Sequence, residues 1–312
     1  MYMEYIEHED YIILSGNKEK SLAKNISDKL GIINGNVDIK SAQGTETSVN
    51  IKSYINYKKV FLIYDILEPI NESIMNLLFL VDAIKKEGAE RIYWITSYLP
   101  YTKIKQKLEN KLNFSLFARL LEITHIDKIF AFALYSPKIS FYLRTPLYNI
   151  SIPNIYSKVL SNNFSNNKNL LVSTIDYEKQ EVCREIANKL NVKTLFPVQS
   201  ETDKYKFKIT ENINNKDILI IADAINTAQT INAYTNYLAY KGAKNISILL
   251  PHGIVNKKAI PVIEKSVIRN IYIMNSHNTY KSNKIQTVST SKIIEEIIRR
   301  TIEKKNIKYV LK

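Results

Sequence analysis

Cysteine and long apolar runs are almost absent from this sequence. The single cysteine, Cys183, cannot form a disulfide within the chain, and no cysteine and histidine cluster has the spacing of a zinc site. No apolar run reaches the roughly 18 residues that a membrane helix needs. The amino-terminal segment places acids and lysines around a very short apolar run. We therefore expect a cytoplasmic protein with no signal peptide and no membrane anchor.

Glycine is scarce as well. The chain has 7 glycines in 312 residues, which is about 2%, against an average usage of about 7%. None lies between Gly88 and Gly242, a stretch in which a nucleotide-binding enzyme would carry the turns that hold phosphate. Any phosphate loop in this stretch must therefore be built without glycine.

Positive charge is abundant, with a formal net charge of +14. Basic surfaces bind nucleic acids and other phosphate polymers by releasing counterions. Here the lysines are spread through the chain, often beside Asn, Ile and Tyr, instead of being clustered. Scattered charge does not favour nucleic-acid binding, although a phosphate-ligand or nucleic-acid-binding protein stays open as an alternative.

Short β-branched runs alternate with amphipathic helical segments, the pattern of parallel strands joined by helical crossovers. Each half of the chain carries about four such strands, so the halves read as structural duplicates. The seam lies between about 145 and 165. The pattern predicts an α/β protein with one domain over 1–150 and a second over 151–312. Pro261 lies inside a helical segment, which we expect to kink or to start late.

Several segments stand in a fixed order along the chain: SGNKEKSLAKNISDKLG, LEPINESIMNLLFLVDAIKKEGAERIYWITSYLPY, LLEITHIDKIF, IIADAINTAQT, YKGAKNISILLPHGIV and IIEEIIRR. This series resembles the ribose-phosphate pyrophosphokinases over nearly the whole chain. The resemblance implies two tandem phosphoribosyltransferase-like (Rossmann-like) domains with parallel sheets and assembly into dimers or hexamers. It also implies a reaction that moves a diphosphate from ATP to ribose 5-phosphate with Mg²⁺.

The ribose-phosphate loop of that family opens with two acids and ends in a turn at a helix N-terminus, where backbone N–H groups hold the phosphate. Here Ala222 replaces the first acid, and Gln229 replaces a glycine, which disfavours a turn that needs positive φ. The resemblance implies a weakened site for ribose 5-phosphate or another phosphate ligand. Its candidate residues are Asp223, Asn226, Thr227, Ala228, Gln229 and Thr230. In the purely structural interpretation, Thr227 caps the helix and Asp223 is an ordinary residue at a strand end.

The resemblance places Gln199 at the lysine position of the family's transfer loop and Glu201 near its arginine position. An anion at Glu201 would repel a triphosphate. Lys204 and Lys206 could substitute only if the loop register differs.

The resemblance also places Ala133 and Tyr135 at the acid and the histidine of the family's metal site. A phenol is a poor magnesium ligand, so this site is expected to be empty. Asp176 keeps a family acid and is a further candidate metal ligand, but Glu178 and Lys179 follow where the family has paired glycines.

For ATP, only Glu46 and Lys103 retain the family's chemistry, and both are candidate ATP-binding residues. Ala42 and Gly44 replace an aromatic residue and an acid in the adenine turn, so the base has no flat partner. His252 matches a family histidine, although a histidine after a strand is more often a structural group.

The family's polar residues are replaced at several sites, and these losses point to one hypothesis. Residues that act together on one transition state lose most of their effect when any of them is removed. The chain is expected to be a catalytically impaired or regulatory subunit linked to phosphoribosyl diphosphate and nucleotide biosynthesis. It would pair with itself or with an active family paralogue. The alternative is an active but divergent ribose-phosphate pyrophosphokinase that uses Mg²⁺.

Overall fold

The computed structural model describes residues 8–40, 46–102, 108–200, 202–203, 205–225, 228–253, 257–275, 282–307 and 310. The chain divides into two compact units. The first comprises 1–151 together with 291–312, and the second comprises 152–290.

Each unit contains one six-stranded sheet and one two-stranded hairpin. The strands of the first unit are β1 (Tyr11–Ser15), β2 (Ile33–Asn34), β3 (Val37–Lys40), β4 (Ser48–Ile51), β5 (Lys59–Ile63), β6 (Arg91–Thr96), β7 (Lys128–Phe132) and β8 (Leu147–Ile150). Those of the second unit are β9 (Leu170–Ser173), β10 (Lys193–Leu195), β11 (Val198–Gln199), β12 (Phe207–Lys208), β13 (Asp217–Ile221), β14 (Asn245–Leu250), β15 (Asn270–Met274) and β16 (Ile285–Val288).

The helices of the first unit are α1 (Lys20–Leu30), α2 (Ile70–Lys86), α3 (Leu108–Ile123) and α9 (Ser291–Ile302). The second unit contains α4 (Ile152–Ile155), α5 (Ser157–Phe164), α6 (Gln180–Leu190), α7 (Gln229–Tyr240) and α8 (Ile260–Lys265). Helix α8 begins one residue before Pro261, so the prediction that this helix starts late is confirmed. No helix in the described part of the chain combines the length and hydropathy that a bilayer crossing requires.

Both large sheets are entirely parallel and share one topology. Their orders are β2-β1-β5-β6-β7-β8 and β10-β9-β13-β14-β15-β16. The eight strands predicted from the sequence are all present, but each sheet has six strands where about four were expected. The additional members are the four edge strands, which span only 2 to 4 residues and lack a continuous buried run. Such short edges carry too weak a hydrophobic pattern to be read from sequence.

The interior strands are buried on both faces, as parallel sheets require. In the first unit, Trp94 of β6 is fully buried, and its Nε1 donates to the carbonyl oxygen of Tyr64 at 2.9 Å. In the second unit, Tyr234 of α7 is fully buried and its hydroxyl lies 2.7 Å from Ser173 Oγ. Both aromatic residues thus keep their polar atoms paired inside an apolar core.

Helix α9 packs with the first unit, so the division of the chain differs from the predicted 151–312 domain in its last segment. Ile294, Ile297 and Ile298 lie on one buried face of the helix. Helix α9 contacts α1, and Lys29 Nζ of α1 lies 2.7 Å from Glu295 Oε1. Helix α9 therefore packs with elements from the first half of the sequence.

Replacing Ile298 with alanine tests this packing. We expect Ile298→Ala to lower the free energy of unfolding by about 2–5 kcal/mol, because it removes a buried branched side chain and leaves a cavity. Urea denaturation monitored by circular dichroism measures the change. Lys292→Ala, on the exposed side of the same helix, serves as the control and should stay within about 0.5 kcal/mol. Equal effects of the two substitutions would contradict the packing of α9.

Candidate functional site

The carboxyl ends of β9, β13 and β14 gather the candidate residues of the second unit. These strands are neighbours in the parallel sheet, so the segments that follow them meet at one edge. Asp176 and Lys179 follow β9, Asp223 follows β13, and His252 follows β14. The backbone N–H of His252 donates to the carbonyl oxygen of Asp223 at 3.0 Å.

A buried ion pair joins two of these residues. Lys179 Nζ lies 2.7 Å from Asp223 Oδ1, and the two side chains are only 3% and 7% exposed. Lys179 ends a short 3-10 helix, Tyr177–Lys179. The helix starts at Asp176, whose Oδ1 accepts a hydrogen bond from the N–H of Glu178 at 3.1 Å. Asp176 thus positions the turn that carries the lysine.

Lys179 occupies a position that the family resemblance assigns to glycine, and the sequence did not reveal where its ammonium group would go. A buried charge is tolerated only when it is paired. No other hydrogen-bond donor among the described residues satisfies the Asp223 carboxylate. The one acid retained in the ribose-phosphate loop is therefore neutralised from within the chain.

The turn between β13 and α7 departs from the expectation for Gln229. The residue with positive φ is Ala228, at φ 60°, and Gln229 is the first residue of α7. The positive φ that Gln229 was expected to disfavour therefore falls on its neighbour Ala228. Thr230 follows in the first turn of α7, whereas Asn226 and Thr227 lie outside the described residues.

The segment at the transfer-loop positions forms a hairpin, β11 and β12, in which Gln199 is paired with Phe207. Phe207 packs on Tyr234 of α7, with 5.0 Å between ring centroids. The Tyr205 hydroxyl donates to Gln229 Oε1 at 3.0 Å, so two residues of the hairpin's returning arm contact α7.

Of the two lysines considered for the transfer loop, only Lys206 lies within the described residues. Lys206 is 78% exposed and lies 3.8 Å from Asp203, a surface pair. Glu201 and Lys204 lie outside the described residues.

In the first unit, the metal positions follow β7. Ala133 is buried at φ 48°, and its N–H donates to the carbonyl oxygen of Ile150 at 2.8 Å. Tyr135 is half-buried. Neither side chain carries the carboxylate that Mg²⁺ prefers. Across the described residues, no group of three or more His, Cys, Asp and Glu side chains is arranged to hold a metal ion.

Only one of the two candidate ATP-binding residues lies within the described residues. Glu46 is exposed just before β4, while Lys103, Ala42 and Gly44 lie outside the described residues.

A cavity of about 280 Å³ at the carboxyl ends of β1 and β5 was not foreseen from the sequence. It is lined in part by Glu19 and Asp65. Burial, followed by the nearby Asp65 charge, raises the pKa of Glu19 from 4.5 to about 8. Burial raises the pKa of Asp65 from 3.8 to about 6, although the N–H of Ser97 donates to its Oδ1 at 2.6 Å. A Cβ on Gly16 would lie 2.3 Å from Glu19 Oε2, so glycine at this position makes room for the carboxyl group.

Two family models match the chain. Residues 11–124 match the N-terminal domain of ribose phosphate pyrophosphokinase, and residues 168–312 match the phosphoribosyl synthetase-associated domain. Together they confirm the resemblance inferred from the motifs.

Curated relatives align along nearly their full length. The ribose-phosphate pyrophosphokinase of Clostridium acetobutylicum is 28% identical over 303 residues, covering 93% of this chain and 94% of that protein. That of Bacillus subtilis is 26% identical over 311 residues, covering 96% of each.

Among solved structures, phosphoribosylpyrophosphate synthetase from Mycobacterium smegmatis superimposes with a TM-score of 0.86 at 19% identity, covering 95% of this chain and 99% of that one. This likeness confirms the predicted fold class of two tandem phosphoribosyltransferase-like domains with parallel sheets.

Removing Lys179 tests the buried ion pair. We expect Lys179→Met to lower the free energy of unfolding by about 3–5 kcal/mol, because it leaves the Asp223 charge buried and unpaired. Lys179→Met combined with Asp223→Leu should recover much of that loss. A double-mutant cycle by urea denaturation measures the coupling. Lys189→Met, which breaks the surface pair with Glu185, is the control and should cost less than about 1 kcal/mol. Additive losses in the cycle would rule out a coupled pair.

Glu19 should make stability depend on pH. Its folded pKa of about 8 lies above 4.5, so the folded protein holds a proton that the unfolded chain has released between these values. Stability contributed by this group is therefore complete below about pH 4.5 and declines as pH rises toward about 8. The raised pKa of Asp65 likewise makes stability decline as pH rises, between about pH 3.8 and about pH 6.

We expect Glu19→Gln to raise the melting temperature at pH 8 and to flatten its pH dependence, as measured by calorimetry from pH 5 to 8. Glu87→Gln, at an exposed position, should leave the profile unchanged. An unaltered slope in Glu19→Gln would contradict the assignment.

Proposed function

Because the chain belongs to the ribose-phosphate pyrophosphokinase family, we propose that it is a catalytically impaired member that acts as an associated or regulatory subunit in phosphoribosyl diphosphate formation. The observation that carries this proposal is the buried contact between Lys179 and Asp223, at 2.7 Å. It places a cation of the chain itself on the acid that family members are expected to offer to the ribose hydroxyls and metal.

Diphosphate transfer depends on positive groups and metal that neutralise charge developing on the transferred group. In the second unit, Ala222 cannot replace the first acid of the loop, and Gln199 is uncharged at the lysine position. In the first unit, Ala133 and Tyr135 lack carboxylates. Four separate deficits bear on one transition state, and such deficits do not compensate one another.

Magnesium does not fit the described residues. Asp223 is held by an ammonium group, which a divalent cation would have to displace from a buried site. Positions 133 and 135 offer a methyl group and a phenol.

An associated subunit needs the family's framework more than its polar residues. The relatives cover at least 93% of this chain, so the framework is retained throughout. The first unit also exposes large apolar side chains, including Phe141 at 87% and Ile123 at 71%. Exposed apolar groups of this kind suit contacts with another subunit. The partner would be a second copy of this chain or an active paralogue.

The alternative is an active, divergent ribose-phosphate pyrophosphokinase in the cytoplasm, and the names of its full-length relatives favour it. It requires that Lys179 leave Asp223 when substrate and Mg²⁺ bind.

A direct assay of phosphoribosyl diphosphate formation separates these functions. Purified protein is incubated with ATP, ribose 5-phosphate and Mg²⁺, alone and mixed with an active family enzyme. We expect turnover alone to lie at least about 10³-fold below that of the active enzyme, given the missing charge-stabilising groups. We also expect the mixture to differ from the active enzyme alone.

Asp223→Ala and the exposed control Asp82→Ala complete the assay. Turnover by the chain alone that Asp223→Ala abolishes and Asp82→Ala preserves would overturn the impairment proposal. No turnover alone and no effect in the mixture would overturn the regulatory role.

A further inference from the structure

The amino-terminal edge of the second sheet carries a groove. The groove encloses about 660 Å³ and lies where β10, β9 and β13 begin. Lys193 is the first residue of β10, Lys168 precedes β9, and Lys216 immediately precedes β13. Because these strands are parallel neighbours, their amino ends bring the three lysines to one cavity. Asp223, at the start of the ribose-phosphate loop, follows β13 at the opposite, carboxyl edge.

Among the residues that the structure describes, these three ammonium groups have no carboxylate partner. Within the described residues, none of them lies within ion-pair distance of an Asp or Glu, whereas Lys189 on the nearby helix α6 is paired with Glu185. Lys216 Nζ instead donates to Asn169 Oδ1 at 3.2 Å. Three like charges around one concavity repel each other and raise the local positive potential, which a bound anion would relieve.

The rest of the lining defines the class of anion. Asn191, Asn212 and Thr194 add hydrogen-bonding groups, and Leu170 and Val192 contribute an apolar part. Glu211 is the one carboxylate in the lining, and its Oε2 already accepts from the N–H of Thr210 at 3.1 Å. The groove therefore combines a net excess of two positive charges with polar and apolar walls. This combination suits a compact molecule that carries two or more negative charges.

A nucleic acid fits this groove less well. Proteins that bind single strands combine a basic track with aromatic side chains on which bases stack. No aromatic side chain lines the groove, and its basic residues surround one cavity without forming a stripe.

We propose that the groove formed by Lys168, Lys193 and Lys216 binds a small phosphorylated metabolite, at a site separate from the ribose-phosphate loop. This site does not depend on whether the chain catalyses diphosphate transfer.

Binding of inorganic pyrophosphate and ADP by isothermal titration calorimetry tests the proposal. The variant Lys168→Gln/Lys193→Gln/Lys216→Gln should bind at least one probe about tenfold or more weakly than the unmodified protein, since it loses all three cations. The matched control Lys158→Gln/Lys257→Gln/Lys265→Gln removes equal charge from exposed positions of the same unit. This control should retain the affinity.

A second variant guards against misfolding as an explanation. Glu211→Gln removes the only negative charge of the lining and should tighten binding about twofold or more, weakening with added salt. Unchanged circular dichroism and melting temperature confirm that each variant is folded.

Each of the following results would contradict the proposed binding site. Equal weakening in both triple variants would mean general attraction to a basic protein. No binding of either probe by the unmodified protein, or binding that the first triple variant leaves intact, would place no phosphate in this groove. Tighter binding of a single-stranded oligonucleotide, lost in the first triple variant, would assign the groove to nucleic acid instead.

Discussion

Parallel pairing is the constraint from which each site in this molecule follows. It brings the carboxyl ends of neighbouring strands to one edge of a sheet and their amino ends to the other. Lys179 can reach Asp223 because β9 and β13 are adjacent, and Glu19 meets Asp65 because β1 and β5 are adjacent. The same rule collects Lys168, which precedes β9, on the opposite edge. Residues far apart in sequence become neighbours through backbone pairing alone.

The ion pair at the carboxyl edge stabilises a buried carboxylate at the start of the loop that follows β13. A buried carboxylate needs a positive partner or several hydrogen-bond donors, and a metal or sugar could supply them only when bound. Lys179 supplies that partner from within the chain, at 2.7 Å. A cation or a metal-bound ligand at Asp223 would have to displace this ammonium group from a buried position.

The framework could be predicted because buried parallel strands are continuous apolar runs, such as the segment of β13, and helix ends have local signals. Gly31 and Asn191 both end helices in the left-handed conformation, at φ 67° and 54°. Short edge strands such as β2 gave no such pattern and were missed. The substitution at Lys179 was visible in the sequence, but its contact depends on the pairing of two distant strands. Glu19 was missed because its altered pKa arises from burial beside Asp65, which periodicity does not encode.

The two edges of the second sheet differ in whether their lysines are paired with acids. At the carboxyl edge, the buried lysine is neutralised by an acid of the same chain. At the amino edge, three lysines surround a cavity and have no acidic partner among the described residues. The net charge of +14 does not by itself explain this difference between the edges. If acids and lysines were mixed evenly over the surface, lysines at both edges would have acidic partners. The lysines without acidic partners therefore lie at the edge of the sheet opposite Asp223 and the ribose-phosphate loop.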